Sequence, residues 1–304
     1  MTTGKKRGIG FVVLLLIAIA SYLGWGISGD GLLVVYMDVG QGDATFIRAP
    51  GGQTALIDGG RGGVRMVEML EELGVERLDL MIASHADFDH IGGLVRAAEQ
   101  FTPRVFIDNS LPHSTQAYEN LLLAIDQAGS EYLDPSHRRI RLGEVELEIL
   151  PPPLQTSDQN SNSVGVILRY GNFRSFIPGD ATHAQQDWWL EQHSDSLSPV
   201  TIYRAAHHGS STGDDLAFLQ RLEPDIIVVS VGANNPYGHP HAESMRNYQQ
   251  SGARILRTDE VGHISVAVSA SGYFGHRVET GVLGAEAQLD IAALARSLLA
   301  MLRD

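Results

Sequence analysis

Four strong metal-ligand side chains fall within six residues of this chain. They are His85, Asp87, Asp89 and His90, in the stretch Ser84-His85-Ala86-Asp87-Phe88-Asp89-His90. The stretch follows the largely apolar run 78–83 and precedes Ile91-Gly92-Gly93-Leu94-Val95-Arg96, which reads as a helix. Two carboxylates and two imidazoles this close repel one another or compete for protons unless a cation sits among them. A strand that ends in a tight turn into a helix splays such neighbours around one point. His85 and Asp87 then face one divalent ion, and Asp89 and His90 a second. The plain alternative is a polar loop that happens to be rich in His and Asp.

More ligand chemistry lies downstream. Phe173-Arg174-Ser175-Phe176-Ile177 reads as a buried strand running through Pro178-Gly179 into Asp180, whose two oxygens can bridge two cations. A second apolar run, 200–206, ends in His207-His208-Gly209-Ser210. A third, 226–231, leads to Asn234-Asn235-Pro236-Tyr237-Gly238-His239-Pro240. Strand ends in an α/β sheet aim side chains at a shared crevice, so three strands ending on ligand-type residues point to one site. Any one of these histidines alone reads as a surface or satisfied core residue.

Taken together, these motifs resemble the metallo-β-lactamase-fold hydrolases. The branch they most resemble is the nuclease-like domain of the ComEC/Rec2 competence proteins. The signatures are Asp38-Val39-Gly40-Gln41-Gly42-Asp43-Ala44, Leu56-Ile57-Asp58-Gly59-Gly60, the 84–93 motif, Asn162-Ser163, Pro178-Gly179-Asp180, His207-His208-Gly209-Ser210 and Gly238-His239-Pro240, over about residues 32 to 268. The resemblance implies an αββα sandwich of the α/β class, with a dinuclear site on its edge and phosphodiester hydrolysis as the commonest activity. Carried over residue by residue, it gives His85, Asp87, Asp89, His90, Asp180 and His208 as metal ligands. His208 is chosen over His207 because it immediately precedes the glycine; strand alternation leaves the pair open.

Two departures stand out. Most of the superfamily carries His-x-His-x-Asp-His, where this chain has Asp87 for the second histidine. The third histidine is also absent, with Asn160, Asn162 and Ser163 in its region. An oxygen-richer first site brings Mn²⁺ into competition with Zn²⁺. Two such ions about 3.5–4 Å apart can hold a hydroxide and stabilise both the attacking and the leaving oxygen at phosphorus. His207 and His239 are the candidates for proton donation or phosphate contact, and Asp87 counts with them as a catalytic group. Asp43 and Asp58 are expected behind the site, ordering loops and ligating histidines.

Length and charge set the rest. About 240 of the 304 residues belong to the core, a normal size for one layered domain. Strands are expected near 32–37, 44–47, 54–57, 80–83, 164–170, 174–177, 201–205 and 226–229, with helices near 64–73 and 91–100. The Pro-rich segment 151–160 reads as a seam between halves that serves as an active-site loop. Lys5-Lys6-Arg7 precedes an uncharged run of 22 residues, 8–29. That run is long enough to span a bilayer with the rest of the chain outside the cytoplasm. A cleaved signal peptide is the second reading. The expected divisions are 1–29 for this segment, 30–282 for the hydrolase domain, and 283–304 for an amphipathic helix with Leu289, Ala293, Leu294 and Leu298 at helical spacing.

From Asp30 onward there are 19 arginines against 36 acidic residues, a balance of −17. Such a surface does not attract a polyanion, so DNA binding has to be local. His137-Arg138-Arg139-Ile140-Arg141 is the one basic cluster, and it also reads as an exposed edge strand. Three functions remain. The first is a membrane-anchored phosphodiesterase with DNA among its substrates. The second is an esterase of small or cell-envelope phosphodiesters such as phosphorylcholine. The third is a binding module that kept the fold without catalysis. The absence of cysteine excludes disulfides and thiolate ligands.

Overall fold

The computed structural model describes residues 31–154, 156–268, 276–281 and 283. The expected membrane or signal segment and, apart from Leu283, the expected terminal helix lie outside them. Among the described residues no helix is long and apolar enough to cross a membrane.

In chain order the first half runs β1 (Leu32–Tyr36), β2 (Thr45–Arg48), β3 (Thr54–Ile57), α1 (Gly63–Glu72), β4 (Leu80–Ile82), α2 (Phe88–Phe101), β5 (Val105–Ile107), α3 (Gln116–Ala128) and β6 (Glu131–Leu133). The second half runs β7 (Arg138–Leu142), β8 (Val145–Leu150), β9 (Gly165–Tyr170), β10 (Phe173–Ile177), α4 (His183–Gln192), β11 (Ile202–Arg204), α5 (Leu216–Leu222), β12 (Ile226–Val229), α6 (Ala242–Ser251) and β13 (Arg254–Arg257). It closes with α7 (Thr258–Val261), β14 (Ile264–Val268) and β15 (His276–Thr280).

The strands form two mixed sheets, ordered β15-β14-β1-β2-β3-β4-β5-β6 and β13-β12-β11-β10-β9-β8-β7. In each sheet an antiparallel set passes into a parallel one, β3 to β6 in the first and β10 to β13 in the second. Helices make the crossovers that parallel neighbours require.

Side-chain alternation builds the layers. Leu32, Val34 and Tyr36 of β1 join Leu147 and Ile149 of β8 and Val166 and Leu168 of β9 in the core between the sheets. Val35 and Met37, of opposite parity, pack under the first set of helices with Met66, Leu94 and Leu121. On the far side Phe176, Tyr203, Ile227 and Val229 pack against Trp189, Phe218 and Tyr248. The period-two pattern therefore feeds three apolar layers from two sheets, which is the expected αββα sandwich.

Parallel strands end on the same side, and that edge is where the motifs lie. Asp58 follows β3, Ser84 and His85 follow β4, Asp180 follows β10, His207 and His208 follow β11, and Ser230 follows β12. Segment 151–160 is tied to the same edge. The Gln159 side chain accepts from the Ala86 N–H at 3.2 Å, and Asn109 Nδ2 donates to Gln159 Oε1 at 3.0 Å.

Candidate metal centre

Asp180 is the hub. Its Oδ2 lies 3.2 Å from His90 Nε2, 3.5 Å from His208 Nε2, 3.7 Å from His207 Nε2 and 4.0 Å from His85 Nε2. The turn that aims it depends on glycine. Gly179 has φ +62°, and a Cβ there would stand 2.8 Å from the Cβ atoms of both Ser163 and Ser84. The Asp180 N–H then donates to Ser163 Oγ at 3.0 Å. The two acidic residues of the first motif face different imidazoles. Asp87 Oδ2 faces His85 Nε2 at 3.5 Å, and Asp89 Oδ2 faces His208 Nε2 at 3.7 Å. Asp87 is the residue preceding α2 and Asp89 lies in its first turn, where the helix dipole favours negative charge.

The imidazoles are oriented from behind. His90 Nδ1 is 2.9 Å from Asp58 Oδ2, and His208 Nδ1 donates to the Ser230 carbonyl at 3.0 Å. Asp58 Oδ1 accepts the Ser84 N–H at 2.7 Å, and the Ser84 hydroxyl bridges Asp58 Oδ2 at 2.7 Å to His85 Nδ1 at 3.0 Å. Each ring thus turns Nε2 inward. The Nε2 atoms of His85, His90 and His208 and Oδ1 of Asp180 are buried without a hydrogen-bond partner. Buried polar atoms are rarely left so. Oδ1 of Asp180 faces Arg204 Nη2 at 3.7 Å, and the three Nε2 atoms gathered round Oδ2 fit a divalent cation.

Asp43, His90, Asp180 and His208 also bring ligand atoms within 4.8 Å of one another. Asp43, however, stands on the wrong side of the rings. Its Oδ2 is 3.8 Å from Nδ1 of His90 and 3.6 Å from Nδ1 of His208, nitrogens already engaged by Asp58 and Ser230. Asp43 instead pairs with Arg204, whose Nε donates to Oδ1 at 2.8 Å and whose Nη2 meets Oδ2. Arg204 shares the inward face of β11 with Ile202, is 1 % exposed, and also donates to the Gly179 carbonyl at 2.6 Å. Burial pulls its pKa down to about 9, which leaves it charged at neutral pH. The pair joins the two halves of the chain beneath the site. Arg204→Met, which strands a buried carboxylate, should cost about 3–5 kcal/mol of stability. A denaturant midpoint unchanged from the wild type would contradict that role.

Burial and neighbouring charges oppose one another across the cluster. Burial works against a charge on His90, but Asp180 and Asp58 outweigh it and raise its pKa well above the ordinary value. Burial pushes the Asp180 carboxyl up, yet His208 and His90 hold it well below the usual range. His208 is pushed well below by burial, with Asp180 opposing. The Asp87 carboxyl is lowered, chiefly by its contact with His85.

His207 and His239 line the mouth. The His207 side chain is 21 % exposed, with Nδ1 3.1 Å from Thr212 Oγ1. His239 stacks on Tyr237 at 5.7 Å, and burial together with His207 and His241 lowers its pKa to about 4. It is therefore neutral at pH 7, suited to accepting or sharing a hydrogen bond rather than supplying a proton. Asp58, His207 and His208 all have positive φ, at 56°, 49° and 55°. Left-handed backbone at non-glycine residues costs on the order of 1–3 kcal/mol each, and here it is concentrated where side chains are aimed.

Asn160, Asn162 and Ser163, which stand where the superfamily carries its third histidine, lie in the loop that follows β8. Asn162 donates to the Thr156 and Asp158 carbonyls and accepts from the Leu154 N–H, so its amide holds the loop together. Ser163 Oγ is 3.5 Å from His85 Nδ1 and supports that ring from behind. Sequence reasoning passed over Arg204. The signal was a cation at inward parity in an apolar strand.

A two-sheet sandwich with buried histidines and carboxylates converging at its parallel-strand edge defines a metal-binding α/β protein. The chain belongs to the metallo-β-lactamase superfamily, whose model matches residues 37–232. ComE operon protein 3 of Bacillus subtilis (strain 168) is 28 % identical over 255 residues, covering 75 % of this chain and 32 % of that protein. Competence protein ComA of Neisseria gonorrhoeae is 26 % identical over 281 residues, covering 90 % of this chain and 38 % of that protein. The chain spans about a third of the length of these relatives. Among solved structures, CmlA, a diiron β-hydroxylase from Streptomyces venezuelae, superposes with a TM-score of 0.54 at 17 % identity, covering 79 % of this chain and 54 % of that one. At that identity the likeness is one of fold.

One consequence concerns Asp58. Asn tolerates the left-handed backbone at this position but cannot accept from both Ser84 and His90 in the same way. Asp58→Asn should weaken metal affinity by about 10–100-fold, the usual effect of losing a partner behind a ligating histidine. Competition with a chelator measures it, and wild-type affinity would show that Asp58 does not act on the ligand.

Proposed function

We propose that this chain is a metal-dependent hydrolase that cleaves phosphodiesters. His85, Asp87 and Asp180 hold one divalent ion, and Asp89, His90, Asp180 and His208 the other, with Zn²⁺ or Mn²⁺ as the occupants. The observation that carries the reading is the convergence of four imidazole Nε2 atoms on one Asp180 oxygen, three of them buried without a partner. Ions bound there supply positive charge to the phosphoryl oxygens and lower the pKa of coordinated water.

The protein's own residues do the remainder. Asp58, Ser84 and Ser230 fix the ring orientations before substrate arrives, and the Asp43–Arg204 pair braces the floor. His207, about one-fifth exposed with Nε2 turned to the site, gives the leaving oxygen its proton. His239 contributes a neutral ring at the mouth. Asp87 serves both as a ligand and as an acceptor beside the reacting group.

The ligands must lose their protons to bind a cation, and His90 holds its proton tightly. Metal uptake should therefore release protons, and affinity should fall as pH falls. An affinity that stays flat from neutral to acidic pH would argue against the imidazoles as ligands.

Function is tested by loading the protein with Zn²⁺ or Mn²⁺ and offering bis(p-nitrophenyl) phosphate, DNA and a choline phosphodiester. Hydrolysis of at least one, lost with a chelator, is the expected result, and no turnover of any would leave a binding module. The balance of −17 from Asp30 onward favours small diesters over DNA. Residues 8–29 are proposed to anchor or export the chain, so the site works outside the cytoplasm.

A further inference from the structure

The ligands of the two ions are braced from different parts of the chain. Around His90 and His208 the supports are strand ends. Asp58 after β3 and the Ser230 carbonyl after β12 fix the two rings, and Asp89 lies in the first turn of α2. Around His85 and Asp87 most supports come from one short segment, 159–164, between β8 and β9. Gln159 Oε1 accepts the N–H of Ala86, the residue between those two ligands, at 3.2 Å. The Val164 N–H donates to the Ser84 carbonyl at 2.8 Å. Ser163 Oγ accepts the Asp180 N–H at 3.0 Å, but Asp180 belongs to both ions. Asp58 also reaches both sides, through the Ser84 hydroxyl. The contact peculiar to the His85–Asp87 side is therefore that of Gln159.

The surroundings of Gln159 suit that contact. Gln159, Ala86 and Asn109 are all buried. Asn109 Oδ1 accepts the Leu111 N–H at 3.1 Å, so its Nδ2 is the group turned to Gln159, at 3.0 Å. Two N–H donors, one of them backbone, thus meet a single oxygen, and Gln159 Oε1 acts there purely as an acceptor. Asn109 Nδ2 also donates to the Asn162 carbonyl at 3.1 Å, and the Asn162 N–H donates to the Gln159 carbonyl at 3.0 Å. The turn that carries Gln159 is therefore closed on itself and tied to the end of β5. Without the acceptor, a buried backbone donor between His85 and Asp87 is left unsatisfied, and the backbone that aims both ligands is free to turn.

Resting on the two-ion reading above, we propose that Gln159 is a positioning residue for the ion of His85 and Asp87 alone. The segment 159–163 then sets occupancy on that side independently of the His90–His208 side. Displacement of this segment changes metal content at one site and leaves the other filled.

The test reads metal binding, so it stands apart from turnover. Full-length protein stripped with a chelator is titrated with Mn²⁺, and the free ion is counted by its electron paramagnetic resonance signal. The wild type should bind one equivalent tightly and one more weakly, the weaker on the side with fewer ligands, His85, Asp87 and Asp180. Gln159→Leu keeps the bulk and removes the acceptor. It should weaken the weaker step about 10–100-fold, the usual loss when a partner behind a ligand is removed, and leave the tighter step within about twofold. Gln159→Glu keeps an acceptor oxygen and should restore the weaker step to wild-type strength or better. Asp89→Asn should weaken the tighter step instead. If Gln159→Leu does not fold, Asn109→Ala, which removes the donor that aims Gln159, should show the same one-sided loss. Equal weakening of both steps, or no rescue by Gln159→Glu, would make Gln159 a general support of the fold and overturn the proposal. A weaker step untouched by Gln159→Leu overturns it as well. No uptake by the wild type would sink the metal reading and this proposal with it. Two-step binding without diester hydrolysis would sink the phosphodiesterase reading and leave this proposal standing.

Discussion

Asp180→Ala should retain little metal and lose diester hydrolysis by on the order of 10³-fold or more, with the sandwich still folded. Losing a single electrostatic donor at a reacting centre already costs about 10²–10³ in rate. Asp180 is worth more than one such group, because its Oδ2 is the acceptor on which His85, His90, His207 and His208 converge. The carboxylate contributes nothing to the apolar layers, to which the preceding strand β10 supplies Phe176 on one face and Phe173 and Ile177 on the other. Circular dichroism should therefore be unchanged while elemental analysis shows metal lost. Full metal content with normal turnover would remove Asp180 from the site.

The second large effect separates two adjacent histidines. Proximity to Asp180 does not distinguish them, at 3.7 Å for His207 and 3.5 Å for His208. Their surroundings do. His208 is 2 % exposed, is tethered through Nδ1 to the Ser230 carbonyl, and has a buried, unpartnered Nε2. His207 is more open and rests on a hydroxyl. His208→Ala should lose metal, since one of about four ligands at that ion disappears. His207→Ala should keep near-normal metal but turn over about 10²–10⁴-fold more slowly, as expected for loss of a general acid. A nitrophenyl diester, whose leaving group needs less protonation, should recover His207→Ala selectively. Metal loss in His207→Ala with metal retained in His208→Ala would exchange the two roles.

Much of this site was legible because strand ends carry it. The motif at 84–90 and the Gly-Asp turn at 179–180 are contiguous, and contiguous residues need no knowledge of tertiary contacts. Strands 54–57 and 226–229 matched β3 and β12 for a similar reason, being short apolar runs bounded by polar turns. What escaped the sequence was pairing over distance. Asp43 and Arg204 are 161 residues apart, so their ion pair appears only when β11 is laid across from the loop after β1.

Several elements were also silent. Three-residue strands such as β5 and β6 offer too little alternation to read. Helix α4, His-Ala-Gln-Gln-Asp-Trp-Trp-Leu-Glu-Gln, buries Gln185 and Gln186 beside Trp189 and so lacks an apolar stripe. Those glutamines are inside because they serve neighbours. Gln185 bonds the backbone of Ser163, and Gln186 bonds Asp214, the carboxylate that also accepts from Tyr203, Tyr248 and the Ala206 N–H under the His207-His208 turn.

The account stands or falls on the cation. The full-length protein, stripped with a chelator and dialysed against Zn²⁺ or Mn²⁺, should take up about two equivalents per chain and hydrolyse bis(p-nitrophenyl) phosphate in proportion to occupancy. Elemental analysis run alongside the rate measurement reads both at once. Activity that rises and falls with bound metal is the predicted result, and a chain that binds no ion after such loading, or whose turnover ignores its metal content, would contradict it.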